Sequence, residues 1–309
     1  IPFDTIRGDF DAVLLGIGAW VSTGVGCKGE DSEGVIGGID FLRKVVRNEE
    51  IELGEKVAIV GGGNTAMDAC RTAVRLGAKE VYNIYRRTKD EMPADMLEIE
   101  EAEEEGVIFK NLTNPLEVIA DENGHVKQVV LQIMELGEPD ASGRRRPIPV
   151  EGKTETIDID TMILAIGQAV DASMFDVDKT RKNAIAYDPD TFMTSMPGVF
   201  AGGDCGNDKI SIAVEAIADA KKASGVIDAY LNGEAVKYEK PYVVTRDDIT
   251  EKTFEDRERQ CRPKYDILSP EERKDNFTEV VITGFNEEQA EEEANRCLEC
   301  GCHDYFECK

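Results

Sequence analysis

Residues 56–68 read Lys56-Val57-Ala58-Ile59-Val60-Gly61-Gly62-Gly63-Asn64-Thr65-Ala66-Met67-Asp68, a β-branched run followed directly by G-x-G-x-x-A. The helical pattern that follows, Thr65 to Leu76, places its apolar residues on one face. Gly61 allows a tight turn, Gly63 lets a pyrophosphate approach the backbone, and Ala66 lets helix and strand pack closely. The motif therefore predicts a dinucleotide site formed by Gly61, Gly62, Gly63, Asn64, Thr65 and Ala66.

The end of the next strand indicates which dinucleotide binds. An NAD site usually has Asp or Glu there, about 20 residues past the glycines, to bind the ribose 2′-hydroxyl. This chain has Tyr85-Arg86-Arg87 instead. Two guanidinium groups suit a 2′-phosphate, so Arg86 and Arg87 favour NADP(H) over NAD(H). The alternative is that both arginines lie on a solvated loop.

Composition excludes several classes of protein. At 309 residues the chain has the length of about two domains. Its 36 basic and 63 acidic side chains give a net charge of −27, which would repel a nucleic acid backbone. The longest uncharged run, Ala12 to Cys27, is too short to span a membrane, and no secretory signal pattern is present. We expect no nucleic acid partner, no membrane segment and a cytoplasmic location.

Strand and helix patterns alternate along the chain, which is typical of an α/β fold. From Pro115 to Ile157 the pattern changes to alternating strands with turn signals, which predicts an antiparallel meander. Beyond Gly233 the composition shifts to mixed charge, so we expect a domain boundary near residue 235. The strands predicted outside the meander are Ala12–Leu15, Val57–Val60, Val81–Tyr85, Val107–Phe109, Thr161–Ile166 and Gly198–Ala201. The predicted helices are Thr65–Leu76, Asp95–Glu105, Ser211–Leu231 and Glu287–Asn295.

The order of motifs resembles the small (β) subunit of glutamate synthase and its relatives among the FAD-dependent pyridine nucleotide oxidoreductases. Together the motifs cover about residues 8 to 232. They are Asp11 to Gly18, Gly61 to Asp68, Tyr85-Arg86-Arg87, Glu91-Met92-Pro93-Ala94, Gly137-Glu138-Pro139-Asp140 with Gly143-Arg144-Arg145-Arg146, Leu164-Ala165-Ile166-Gly167, and Gly198-Val199-Phe200-Ala201-Gly202-Gly203-Asp204.

This resemblance implies a Rossmann-like NADPH domain, residues 48–165, inserted into an FAD domain formed by residues 1–47 and 166–235. Residues 236–309 would be an extension with a cysteine cluster. By the same resemblance Asp204 binds the flavin ribityl chain, and the helix starting near Ser211 directs its N-terminus at the flavin ring, a position that stabilises negative charge. Glu91 and Pro93 would line the nicotinamide side, unless Pro93 only starts a helix. The remaining implied cofactor contacts are Gly167, Gly203 and Ala213.

The sequence departs from the family pattern at its beginning. Complete members carry an earlier G-x-G-x-x-G for the FAD pyrophosphate, preceded by a cysteine-rich domain. Gly16-Ile17-Gly18-Ala19-Trp20-Val21 is no substitute, because Trp20 and Val21 stand where close packing needs a small residue. We expect the N-terminal half of the same protein, or a separate chain, to complete the FAD site.

Four of the eight cysteines fall close together as Cys297-x2-Cys300-x-Cys302-x5-Cys308. Such dense thiolates select zinc or an iron–sulfur cluster, and the neighbouring electron-transfer motifs favour [4Fe-4S]. Zinc and the absence of any metal remain alternatives. By contrast, the nucleotide region has no C-x-x-C, so a dithiol mechanism has no residues to use.

The sequence as a whole predicts an oxidoreductase module that passes electrons between NADP(H), FAD and iron–sulfur carriers. Nicotinamide and flavin carry the chemistry, so no catalytic acid or base is needed. An electron-transfer partner subunit or a ferredoxin would take the electrons. The alternative is a non-catalytic subunit that keeps the fold and docks partners of a redox complex.

Overall fold

The computed structural model describes residues 1–139, 145–208, 210–234, 248–258, 260–278 and 282–297. Two units make up the chain, residues 1–238 and 239–309. The first unit contains, in chain order, α1 (Phe3–Asp9), β1 (Val13–Leu15), β2 (Val21–Ser22), β3 (Val35–Gly37), α2 (Gly38–Val46), β4 (Lys56–Val60), α3 (Asn64–Arg75), β5 (Glu80–Tyr85), a 3-10 turn (Lys89–Glu91), α4 (Met96–Glu104), β6 (Ile108–Asn111), β7 (Thr113–Ala120), β8 (Val126–Pro139), β9 (Arg145–Asp158), β10 (Thr161–Leu164), β11 (Gln168–Ala169), β12 (Val199–Ala201), a 3-10 turn (Gly203–Cys205) and α5 (Ala213–Leu231).

A five-stranded parallel sheet forms the centre of this unit, in the order β3-β10-β4-β5-β6. Strand β4 is buried on both faces, as expected for a parallel sheet. Val57 and Ile59 pack with α2, α3 and α4, whereas Ala58 and Val60 face the opposite side. The alternation follows from the two-residue period of a strand. The sheet confirms the α/β fold class.

The predicted meander covers the other face of the sheet. Strands β7, β8 and β9 form an antiparallel three-stranded sheet. Val118, Val129 and Leu131 from this meander pack against Val60 and Met162 of the parallel strands. The unit therefore has three layers, with helices on one face of the central sheet and the meander on the other.

Residues 35–46 pack with the five-stranded parallel sheet, whereas the resemblance implies an FAD part formed by residues 1–47. Strand β3 pairs with β10, and Phe41 of α2 is fully buried in the same core cluster as Val57. The physical reason is that α2 covers the face of β4 that would otherwise expose its apolar side chains.

The strands that precede and follow this sheet in the sequence form two small sheets. Strand β1 pairs in parallel with β12, and β2 pairs antiparallel with β11. Their core cluster includes Leu15, Phe175, Ile185 and Val199, together with the buried Cys205.

The second unit holds a 3-10 turn (Glu251–Phe254), α6 (Pro270–Lys274) and α7 (Glu287–Asn295). Helix α7 begins with a capping box in which Asn286 and Gln289 satisfy each other's backbone amides. The side chain of Gln289 also donates to the carbonyl of Lys264 (3.1 Å). None of the helices among the described residues is long and apolar enough to cross a membrane.

Candidate coenzyme site

A cavity of about 620 Å³ opens at the carboxyl edge of the parallel sheet. The ends of β4, β5 and β10 meet there, as expected where the strand order of an open α/β sheet reverses. The sequence-predicted residues that line the cavity are Gly61, Gly62, Gly63, Thr65, Arg86, Arg87, Pro93 and Gly167.

The turn after β4 requires glycine at its first position. Gly61 has φ +145°, and a Cβ there would lie 2.2 Å from the carbonyl oxygen of Ala165 and 3.2 Å from the Cβ of Ala66. The Gly61 carbonyl also accepts a hydrogen bond from the Asn83 side chain (2.9 Å). Gly61 and Ala66 thus allow the close packing that the motif predicts.

The next two glycines differ in what surrounds them. A Cβ on Gly62 would lie 2.5 Å from the ring of Tyr85, whereas a Cβ on Gly63 would meet no atom within 4 Å. Gly63 caps α3 without a side-chain hydrogen bond, and no described residue accepts from the amides of Asn64 or Thr65. Open space beside free amides at a helix N-terminus is the arrangement that binds a phosphate.

Asn64 lies outside the cavity lining. Its side-chain oxygen accepts from the backbone amide of Asp95 (2.9 Å), and Asp95 in turn caps α4 by accepting from the amide of Leu97 (2.9 Å). Asn64 therefore ties the start of α3 to the start of α4.

Arg86 and Arg87 follow β5 and line the same cavity as Gly63. Within the described part of the chain, no carboxylate pairs with either guanidinium, whereas the nearby Arg71 and Lys89 are both paired. The Nε of Arg87 donates to the carbonyl of Arg145 (2.8 Å). Unpaired arginines in a strongly acidic chain are available for an anionic ligand.

Glu91 and Pro93 have separate surroundings. Glu91 forms a capping box with Thr88, whose backbone amide donates to its carboxylate (3.0 Å), and the Glu91 carbonyl accepts from the hydroxyl of Tyr85 (2.9 Å). Pro93 lines the cavity, whereas Glu91 does not. The Glu91 carboxylate is thus used within its own turn.

The residues assigned to the flavin side are also brought together. The carboxylate of Asp204 accepts from the backbone amide of Ser211 (3.0 Å), and the amide of Gly203 donates to the buried Asp219 of α5 (3.3 Å). Helix α5 starts at Ala213, and its N-cap, Ile212, supplies no side-chain cap. This region adjoins the cavity, because Ile210 lines it.

Apolar side chains are exposed around the start of α5. Ile212, Val214 and Ile217 are 59%, 63% and 59% exposed, and Leu14 on β1 is also exposed. Ile212, Val214 and Ile217 lie within six residues, so the start of α5 is a candidate contact surface for another segment or ligand.

Sequence reasoning did not find several lining residues: Gly24, Val25, Ile39, Thr113, Asn114 and Ile210. Thr113 and Asn114 follow the end of β6, and the rule that ligands bind at the carboxyl ends of parallel strands could have identified them. Gly24 and Val25 carry no such signal.

The described cysteines differ in burial, and Cys27 is half-buried whereas Cys261 is exposed. Cys70 and Cys205 are buried, and burial raises the pKa of both thiols. Cys297 is exposed, whereas Cys300, Cys302 and Cys308 lie outside the described residues. Within the described ranges, no three Cys, His, Asp or Glu side chains are grouped to hold a metal ion.

A parallel sheet with a phosphate-binding glycine turn, and with two arginines that no carboxylate of the described residues pairs, is joined to a second small parallel sheet. These features define the class of nicotinamide-coenzyme-binding α/β proteins. Residues 4–220 match the pyridine nucleotide-disulphide oxidoreductase family, and the chain belongs to that family.

Curated relatives agree with this membership. The chain is 39% identical over 326 residues to the beta subunit of NADP(+)-dependent formate dehydrogenase from Moorella thermoacetica, covering 97% of this chain and 44% of the relative. It is 36% identical over 255 residues to the NADPH glutamate synthase small chain of Escherichia coli K12, covering 75% and 52%. The resemblance to glutamate synthase small subunits is confirmed, and the chain spans about half the length of these relatives.

A solved structure agrees with the fold. FprA from Mycobacterium tuberculosis, in complex with NADPH, matches with a TM-score of 0.60 at 18% identity, covering 76% of this chain and 68% of that one.

Proposed function

We propose that this chain is the NADP(H)-binding part of a flavin oxidoreductase that passes electrons between NADP(H), FAD and iron–sulfur carriers. One observation carries the proposal: a single cavity contains both the open space at Gly63 and the guanidinium groups of Arg86 and Arg87, which no carboxylate of the described residues pairs. When bound, NADP(H) and FAD would supply the hydride-transfer and single-electron chemistry, and the residues of this chain would hold and orient them.

The residues of the cavity fit NADP(H). The amides of Asn64 and Thr65, with the dipole of α3, would hold the pyrophosphate. Arg86 and Arg87 would hold the 2′-phosphate by charge-assisted hydrogen bonds. The acidic residue of an NAD site would instead repel this phosphate. Gly61 and Ala66 keep the strand and helix close enough to form this cradle.

The residues near α5 fit part of an FAD site. Gly203 and Asp204 would bind the flavin, together with Ser211 and Ala213 at the start of α5. Gly167, which lines the cavity, would contribute a further cofactor contact. Exposed apolar side chains at Leu14 and along α5 favour a further segment there. We infer that the N-terminal half of the same protein, or a separate chain, completes this site.

The remaining assignments extend this proposal. Cys297, Cys300, Cys302 and Cys308 would hold a [4Fe-4S] cluster, because four clustered thiolates suit one and the neighbouring chemistry is electron transfer. An electron-transfer subunit or ferredoxin would take the electrons. We place the protein in the cytoplasm, where thiols stay reduced.

Coenzyme choice gives the main test. Arg86→Ala with Arg87→Ala should weaken NADPH binding at least about 100-fold, from about 1.5 kcal/mol for each of two bonds to charged groups. NADH binding should change less than about 3-fold. Lys89→Ala with Lys110→Ala is the matched control, because it also removes two positive charges, but both lysines are already paired with glutamates. Equal losses for NADPH and NADH would refute the 2′-phosphate assignment.

A separate experiment addresses the flavin. The 309-residue chain alone should retain little FAD, and joining it to its N-terminal region should restore flavin absorbance near 450 nm. Tight stoichiometric FAD in the isolated chain would contradict the proposal of half a site. A longer protein that stays colourless would favour the assembly-subunit alternative.

A further inference from the structure

The two arginines at the end of β5 are held differently. Arg86 is exposed and has no described side-chain partner, whereas the Nε of Arg87 donates to the carbonyl of Arg145 at 2.8 Å. Only one of the five N–H donors of Arg87 is used in this bond. Among the described residues, the other four donors have no partner and can bind an anion in the cavity.

In the hairpin formed by β8 and β9, Arg145 is the first residue of β9 and pairs with Pro139, the last residue of β8. Pairing between these strands is irregular between Leu136 and Pro139, so Gly137 falls within the irregular part of the ladder. The guanidinium of Arg145 donates to the carbonyls of Gly137 (3.1 Å) and Leu136 (3.4 Å). Its side chain thus supplies donors to carbonyls at this irregularity and closes the end of the hairpin.

The backbone of Arg87 is attached to the same hairpin by a second route. The Arg87 carbonyl accepts from the amide of Leu112 (3.0 Å), and the Leu112 carbonyl accepts from the amide of Met134 (2.7 Å) on β8. Leu112 has φ +54°, a conformation that a leucine adopts only where its surroundings hold it. Hairpin contacts therefore fix both the main chain and the side chain of Arg87.

We propose that Arg145 is a positioning residue for coenzyme choice, which closes the end of the β8–β9 hairpin and thereby holds Arg87 ready for the 2′-phosphate. Arg145 does not line the cavity, whereas Arg87 does, so Arg145 acts through Arg87. An arginine fixed before the ligand arrives loses less conformational freedom on binding. The inference rests on the proposed binding of NADP(H) by Arg86 and Arg87.

The test uses the full-length protein and the single variants Arg145→Met, Arg146→Met and Arg87→Ala. Arg146 is the matched control, because it is exposed, carries the same charge and has no described side-chain partner. Calorimetry measures binding of NADPH, NADH and adenosine 2′,5′-bisphosphate. Arg145→Met should weaken the binding of NADPH and of the bisphosphate about 3- to 10-fold. This range corresponds to the entropy cost of immobilising one side chain on binding. NADH binding, and all binding by Arg146→Met, should change less than about 2-fold.

A double variant separates positioning from direct contact. In the Arg87→Ala background, Arg145→Met should have no additional effect on NADPH, because Arg145 acts through a side chain that is gone. A further loss of the same size would overturn the inference. If Arg145→Met does not fold, Arg145→Lys takes its place, since it keeps the charge but loses the planar fork across two carbonyls. That variant should weaken NADPH about 2- to 5-fold, and unchanged NADPH binding would overturn the inference.

Failure of this inference differs from failure of the proposed function. NADPH binding that is unchanged in Arg87→Ala and in the Arg86→Ala, Arg87→Ala variant would refute the proposed function. Weaker NADPH binding in Arg87→Ala, with no change in Arg145→Met, would refute only the positioning role.

Discussion

The buried carboxylate of Glu105 provides a quantitative test of how the first unit, residues 1–238, is held together. Its side chain is fully buried at the end of α4 and faces two arginines of α3. The Nη2 of Arg71 lies 2.8 Å from Oε1, and the Nη1 of Arg75 lies 2.7 Å from Oε2. The change Glu105→Gln keeps the shape of the side chain and removes its charge.

The expected loss of stability is large because both arginines are themselves mostly buried. Arg75 is 8% exposed and Arg71 is 13% exposed. Removing one member of a buried ion pair typically costs about 3–5 kcal/mol. In a unit of this size, that corresponds to a fall in Tm of roughly 6–20 °C. The matched control is Glu98→Gln, which also loses an ion pair to Arg71 (2.8 Å), but from a carboxylate that is 40% exposed. Its cost should be at most about 1 kcal/mol.

The pH dependence has a definite sign. Burial raises the pKa of Glu105, but the hydrogen bonds and charges of Arg75 and Arg71 outweigh burial and hold the pKa below its ordinary value of 4.5. A lowered pKa in the folded state means that the carboxylate contributes stability above pH 4.5. That contribution is lost as the pH falls through the folded-state pKa. The stability difference between wild type and Glu105→Gln should therefore shrink below about pH 4.5.

Thermal and urea unfolding, followed by circular dichroism between pH 7 and pH 3.5, measure these differences. A Glu105→Gln variant that unfolds within about 1 kcal/mol of wild type, or no more easily than Glu98→Gln, would show that this network does not hold α4 against α3.

Three further predictions concern the glycine turn and the cysteines. Gly63→Ala should change the free energy of unfolding by less than about 0.5 kcal/mol, because its Cβ meets open space, yet weaken NADPH binding more than about 10-fold. Gly61→Ala should fold poorly, because its Cβ would collide with the carbonyl of Ala165. NADPH titration and unfolding curves measure these effects. Anaerobic iron and sulfide analysis with EPR of the dithionite-reduced full-length protein should find about four irons per chain and a signal lost in Cys300→Ala, and one zinc with a silent spectrum would contradict the cluster. Burial, together with the charge of Glu30, raises the pKa of Cys27 to about 11, so only about 0.1% of it is thiolate at pH 8, and mass spectrometry should find it labelled by iodoacetamide more slowly than the exposed Cys261.

Elements defined by local patterns were predictable from the sequence. Helix α7 was predicted at Glu287–Asn295 and has these bounds in the structure. Helix α3, predicted at Thr65–Leu76, spans Asn64–Arg75. The signal for α3 is the helical spacing of its apolar residues, and the signal for α7 is its run of helix-favouring Glu and Ala residues. Both signals are local, so no distant contact is needed to find these helices.

Features that depend on distant segments were not predictable in this way. Strand β3 has three residues, and its place in the sheet is set by pairing with β10, which comes more than 100 residues later. Thr113 reaches the cavity because β6 lies beside β5, which is a property of the sheet order. By contrast, the local role of the Glu91 side chain could have been predicted, because Thr88-x-x-Glu91 is the sequence signature of a capping box.

The sheet order also determines when β4 can be covered during synthesis. One neighbour, β5, follows within a few seconds, but the other, β10, pairs with β4 only after the whole meander has been made. Lys56 and Asp160, which join these strands through a hydrogen bond, are 104 residues apart. At about 5–20 residues per second, the apolar strand β4 keeps one edge uncovered for roughly 5–20 s on the ribosome. Ribosome-bound chains that stop before β10 should therefore recruit chaperones, or aggregate, through this edge.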